Sequence, residues 1–141
     1  AYASRRHRWS RGDWQMAEWV LPSVPVRGGG GKPNPLDPLN RWKIVDNLRR
    51  SLLSPISLAL LLLGWLALAG GAWLATVLVG LLLFFPAILR TATQLVTQPR
   101  PMATSRQGWE AVGPAWARAL LDCAFLPHQA LLALDAIARV W

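Results

Sequence analysis

Trp9, Trp14 and Trp19 are interleaved with Arg5, Arg6, Arg8 and Arg11 within Ala1–Leu21, and these side chains are the ones best equipped for chemistry. An indole presents a flat apolar face on which a ring can stack. A guanidinium presents a fork of donors that matches the paired oxygens of a phosphate. Together they suit three uses. They can hold single-stranded nucleic acid by stacking and charge, or anchor a chain to anionic lipid. They can also seat a sugar ring on an indole while an arginine pairs with the diphosphate of a nucleotide sugar.

Little else in the chain competes. Two histidines and seven scattered acids show no metal-ligand spacing and no paired carboxylates. His7 lies in a charge run and His128 in an apolar stretch, both settings for structural roles. The run Gly28–Lys32 fails as a phosphate loop, because Val26 stands where the first glycine belongs and Pro33 where Ser or Thr must follow. The single cysteine, Cys123, excludes an intrachain disulfide, and its apolar helical setting predicts a small buried hydrophobe. Ala1–Trp14 has no apolar core of a signal peptide. Opening without methionine and ending at Trp141 inside an apolar pattern, the chain reads as a segment of a longer polypeptide.

The elements that position those residues follow from charge segregation. Mean hydropathy is +0.28 although the net charge is +8 and the pI about 11.5. Ten of the fifteen basic residues fall in the first fifty positions, and Ser51–Leu89 carries no charge and fifteen leucines. A central arginine would cost about 2.5–3.5 kcal/mol on the insertion scale and each leucine contributes about −0.6, so insertion wins. As one helix the thirty-nine residues would measure about 58 Å against a hydrocarbon core of about 30 Å, so the run must double back. Gly70-Gly71 is the natural turn between arms Leu52–Ala69 and Ala72–Leu89. Arg41, Lys43, Arg49 and Arg50 precede the run, Arg90, Arg100 and Arg106 follow it, and the turn has none, which puts both ends in the cytoplasm.

The expected fold is an all-α membrane protein, a transmembrane helical hairpin with basic interfacial helices. Residues 22–39 read as a Pro/Gly loop. Residues 40–50 read as a basic interfacial helix capped by Asn40, with Ile44, Val45, Leu48 and Leu52 on one face. The hairpin occupies 51–89 and a cytoplasmic loop 90–113. Residues 114–141 form a helix kinked at Pro127. Arg118–Asp122 and Asp135–Arg139 are spaced to pair across a turn. That last region is either an amphipathic helix pair at the interface or a further span whose polar stripe lines a channel.

Arg5-Arg6-His7-Arg8-Trp9 matches the (Gln/Arg)-x-x-Arg-Trp pattern of processive β-glycosyltransferases of the cellulose-synthase type. The longer string Arg6–Gln15 resembles the end of the glycosyltransferase domain in cyclic β-1,2-glucan synthases. Two further blocks, Arg41–Leu52 and Phe125–Ile137, follow in the right order, so the resemblance spans nearly the whole chain. It implies a large multi-pass enzyme of the cytoplasmic (inner) membrane that primes on itself and polymerises glucose from UDP-glucose with inversion. Mg or Mn would accompany UDP-glucose in the full-length enzyme, with no cofactor in this chain. By the motif match, Trp9 would be the platform for the acceptor glucan, and Arg8 and Arg5 would lie near the UDP diphosphate. Asp13 and Gln15 belong to the same motif without an assigned role; Asp13 can pair with Arg8 or Arg11. The nucleotide-binding acids and catalytic base of that family lie upstream of the motif, so no catalytic residue is expected here and the chain alone should be inactive.

Partners on this reading are the bilayer, UDP-glucose, the growing glucan and the rest of the synthase, with no nucleic acid. Charge segregation alone supports a different class, a small basic membrane anchor or scaffold. A nucleic-acid binder would use the tryptophans and the high pI but leave the apolar hairpin without a purpose.

Overall fold

The computed structural model describes residues 2–25, 30–68, 70–97 and 106–141. They are mostly helical, in the order α1 (Tyr2–Gln15), a 3-10 turn (Ala17–Val20), β1 (Ser23–Pro25), β2 (Gly31–Pro33), α2 (Pro38–Leu66), α3 (Gly71–Thr97), α4 (Arg106–Ala124) and α5 (Leu126–Ala138). Both α2 and α3 are long and apolar enough to cross a membrane. The all-α membrane class expected from the sequence is what the structure has. Its contacts divide into two units, Ala1–Ile56 with Pro127–Trp141, and Ser57–Leu126.

In the first unit, α2 starts earlier than its sequence pattern suggested. Asp37, not Asn40, is the capping residue: its carbonyl accepts the Arg41 N–H at 3.1 Å and its carboxylate accepts the Asn40 amide. Pro38 then occupies the first turn, where a missing N–H costs nothing. No helix breaker separates Arg50 from Ser51, so residues 40–50 are the first turns of one helix that runs on into the apolar stretch. Pro55 lies inside it.

The loop after α1 contains a short antiparallel ribbon, with Val24 opposite Lys32 and buried. The ribbon departs from the loop expected over 22–39, because three-residue strands rich in proline carry no period-two signal. Asn34 ties the ribbon down, donating to the Trp19 and Leu21 carbonyls at 2.6 and 2.8 Å. Helix α5 packs through Ala130 and Ala136, both fully buried, and Ala133. Small side chains at that spacing let a neighbouring backbone approach closely.

In the second unit the chain turns where the glycine pair predicted. α2 ends at Leu66, Gly70 adopts φ +76°, and α3 starts at Gly71. Gly64 faces the start of α3 so closely that an added Cβ would collide with that of Ala75. The Trp65 indole N–H donates to Thr76 Oγ1 at 3.0 Å across the same turn.

Helix α3 runs beyond Leu89 to Thr97, with Pro86 in its interior, and α4 begins at Arg106. The expected loop 90–113 is therefore helical at both ends, and residues 98–105 lie outside the described set. The break between α4 and α5 falls at Phe125, two residues before Pro127. Cys123 is exposed and not buried as expected. The buried side of α4 runs through Val112 and Ala119, and Cys123, one turn on along that side near the helix end, is no longer covered.

Candidate functional site

Helix α1 is too polar to be read as amphipathic, yet helical geometry sorts its residues cleanly. Arg6, Trp9, Ser10 and Asp13 recur at spacings of three and four and fall on one face. That face meets Asn47, Arg50 and Ser51 of α2 and Leu132 and Ala133 of α5, all within the first unit, around an open cleft of about 170 Å³. Pockets that enclose a drug-sized ligand measure about 300–1,000 Å³, so this one holds a single ring or part of a chain and not a whole nucleotide sugar.

Three side-chain links fix the cleft walls. The Trp14 indole N–H donates to Ser51 Oγ at 2.8 Å, joining α1 to α2. His7 Nε2 meets Asp135 Oδ2 at 2.8 Å, joining α1 to α5. Ser54 Oγ donates to Gln129 Oε1 at 3.3 Å, joining α2 to α5. The outcome is specific. The three sequence blocks that carry the family resemblance come together here.

The cleft's polar groups differ in how far they are satisfied. Arg50 pairs with Asp46 one turn earlier, which also accepts from Arg49 at 2.8 Å. Ser10 Oγ is buried with no hydrogen-bond partner. Burial pushes the Asp13 carboxyl above its ordinary range, opposed by a hydrogen bond from Asn47. Arg139 first and His7 second hold the Asp135 carboxyl below that range. Trp9 stands at the edge, 67% exposed, with its ring free to take a ligand face. A hydroxyl-rich ring fits this set: a stacking face, an unpartnered hydroxyl and groups that both donate and accept.

The residues singled out from the sequence divide between two faces. Trp9 and Asp13 line the cleft, whereas Arg5, Arg8 and Gln15 are exposed and do not line it. Asp13 takes a hydrogen bond from Asn47. Sequence reasoning missed Arg6, His7, Ser10, Asn47, Arg50 and Ser51 as cleft residues. The signal was present in part, since the first three sit within the motif string and the others within the second block. Among the described residues no group of three His, Cys, Asp or Glu side chains could hold a metal ion. The cleft, with Asp13 as its one carboxylate, does not fit Mg or Mn.

A second cavity lies in the other unit, between α3 and α4. It measures about 350 Å³ and is lined by Thr91, Trp109, Val112 and Trp116. The Trp116 N–H donates to Thr91 Oγ1 at 3.0 Å, and that hydroxyl donates to the Ala87 carbonyl at 2.8 Å.

A membrane-length helical chain with a tryptophan-edged polar cleft is the class that fold and site define. In sequence it is 32% identical, over 140 residues and 96% of its length, to the cyclic beta-(1,2)-glucan synthase NdvB of Rhizobium meliloti (strain 1021). The resemblance drawn from three blocks thus holds along nearly the whole chain, which spans about 5% of that relative's length. No protein-family model matches the chain. No solved structure matches it either.

Proposed function

We propose that this chain forms the acceptor-side and membrane part of a processive, inverting glucosyltransferase that builds β-glucan, of the cyclic β-1,2 kind, from UDP-glucose. The observation that carries the reading is the meeting of the three resembling blocks around one cleft with an exposed indole at its edge. Trp9 stacks against the terminal glucose of the growing chain, while Ser10, Asp13 and Asn47 receive its hydroxyls. Arg50 is engaged by Asp46, which leaves it less available to a diphosphate and favours a neutral sugar there. Arg5 and Arg8, exposed on another face, reach the UDP diphosphate held by the rest of the synthase, and Gln15 sits beside that face.

The bond-forming step belongs to catalytic groups outside this chain, so the isolated chain transfers no glucose. Helices α2 and α3 cross the inner membrane, with the charged ends of the apolar run on the cytoplasmic side. The partners are the bilayer, UDP-glucose, the glucan and the remaining synthase polypeptide, which would also hold any Mg or Mn.

The test is Trp9→Ala in the full-length synthase. Chain extension should fall by about five- to 150-fold, as losing a ring-stacking contact worth about 1–3 kcal/mol would give. UDP binding, measured by equilibrium dialysis, should survive. Extension at the parent's rate would remove the proposal.

A further inference from the structure

The second cavity has no part in the glucan reading, and its walls describe a different ligand. We propose that the α3–α4 notch holds the acyl chain of a membrane lipid at the boundary between hydrocarbon and headgroups. The inference depends on α3 being a membrane helix and not on the glucan function.

Depth is the first argument. Within the second unit α4 runs antiparallel to α3: Trp116 packs on Phe84 with ring centroids 5.8 Å apart, and Arg90 Nε donates to the Ala111 carbonyl at 2.8 Å. Arg90 is the first charge after the uncharged run, so it marks the hydrocarbon edge. Phe84 lies six residues earlier, about 9 Å deeper at about 1.5 Å per residue. Trp116 therefore reaches from Phe84 inside the apolar layer to Thr91 at its edge, where Trp109 also lies, so the cavity straddles the boundary. Interfacial depth is where tryptophan is enriched in membrane proteins.

Polarity is the second argument. Beside the Trp109 indole, the Trp116 N–H and the Thr91 hydroxyl are already engaged with each other and with the Ala87 carbonyl. A hydroxyl-rich or ionic ligand would find no partner in those two groups, whereas an alkyl chain needs none. Continuity is the third. The outer face of α3 is heavily exposed apolar surface, from Trp73 and Leu74 to Phe85 and Leu89, of the kind that acyl chains solvate. The notch is an inlet in a chain already immersed in that solvent. Arg90 at its rim suits the phosphate of the same lipid.

The experiment uses the full chain, extracted in mild detergent from membranes and analysed by native mass spectrometry. The wild type should retain a phospholipid after delipidation, and Val112→Phe, which fills the notch, should lower retention about tenfold. Thr91→Leu is the second variant, so that a folding defect in one leaves the other to decide; helix content is checked by circular dichroism. In parallel, phospholipids brominated on the acyl chain should quench emission from Trp116, read as the difference between the wild type and Trp116→Phe. Headgroup-brominated lipid should not. Retention equal in wild type and a folded filled variant overturns the proposal, as does a notch protected by a second copy of the chain. Failure of Trp9→Ala to impair extension would leave this result untouched.

Discussion

Trp9 and Trp116 lie in different units, each on a helix that also carries arginine, and their surroundings send them to opposite ligands. Around Trp9 polar groups are plentiful and incompletely matched: the Ser10 hydroxyl is buried without a partner, and Asp13 is partly buried against its ionisation. Around Trp116 the adjoining polar groups are engaged locally, with its N–H on Thr91 and the nearby Arg90 Nε on a backbone carbonyl. Composition alone does not separate the two sites. What separates them is whether the polar atoms beside the indole have already found partners, because an unmet buried hydroxyl invites a ligand hydroxyl and a closed set invites only hydrocarbon.

The comparison breaks most sharply if the two indoles are interchangeable. In the full synthase, Trp9→Ala should lower extension by the factor that the lost stacking contact gives, whereas Trp116→Ala should leave extension intact and alter lipid retention. An equal loss from both would mean that the indoles support the fold and nothing more.

Ser10 sharpens the contrast at smaller cost. Removing an unpartnered buried hydroxyl with Ser10→Ala should raise the thermal stability of the chain in detergent by up to about 1 kcal/mol. The same substitution should weaken glucan extension. Lower stability with normal extension would show that the hydroxyl is satisfied and irrelevant to a ligand.

The smallest effect concerns pH. Asp135 has a lowered carboxyl value because Arg139 and His7 favour its charged form. Its contribution is therefore present above the ordinary carboxylate range and is lost as pH falls through the lowered value of the folded state. Asp135→Asn should be less stable near neutrality and should flatten the decline in unfolding midpoint below about pH 4. Asp13 has the opposite sign: its value is raised, so its contribution is present at low pH and lost as pH rises through the raised value.

How much of this was readable from the residues depends on which force decided each feature. The turn at Gly70-Gly71 and the two membrane-length helices were readable, because a charge-free leucine run has one stable solvent and too much length for one crossing. The pairing of Asp135 with Arg139, at 2.9 Å, was also readable from its four-residue spacing. Helix ends were not: α2 took its start from Asp37 and Pro38, and α3 continued through Arg90 because no breaker stops it there.

The cleft was half readable. Its blocks were identifiable in order, but α1 lacks an apolar period, so its cleft face emerges only when α2 and α5 pack against it. That is why Arg6 and Ser10 were missed and why Arg5 and Arg8 fall outside the cleft. His7 illustrates the same limit. Its partner, Asp135, lies 128 positions away.

The claim on which the account turns is that the growing glucan rests against Trp9. A photoreactive benzoyl-phenylalanine placed at position 9, and separately at position 116, of the whole synthase tests it directly. After synthesis from radiolabelled UDP-glucose and irradiation, peptide mapping should find labelled glucan on the peptide carrying position 9 and none on that carrying position 116. Label at position 116, or lipid in place of glucan at position 9, would contradict the account.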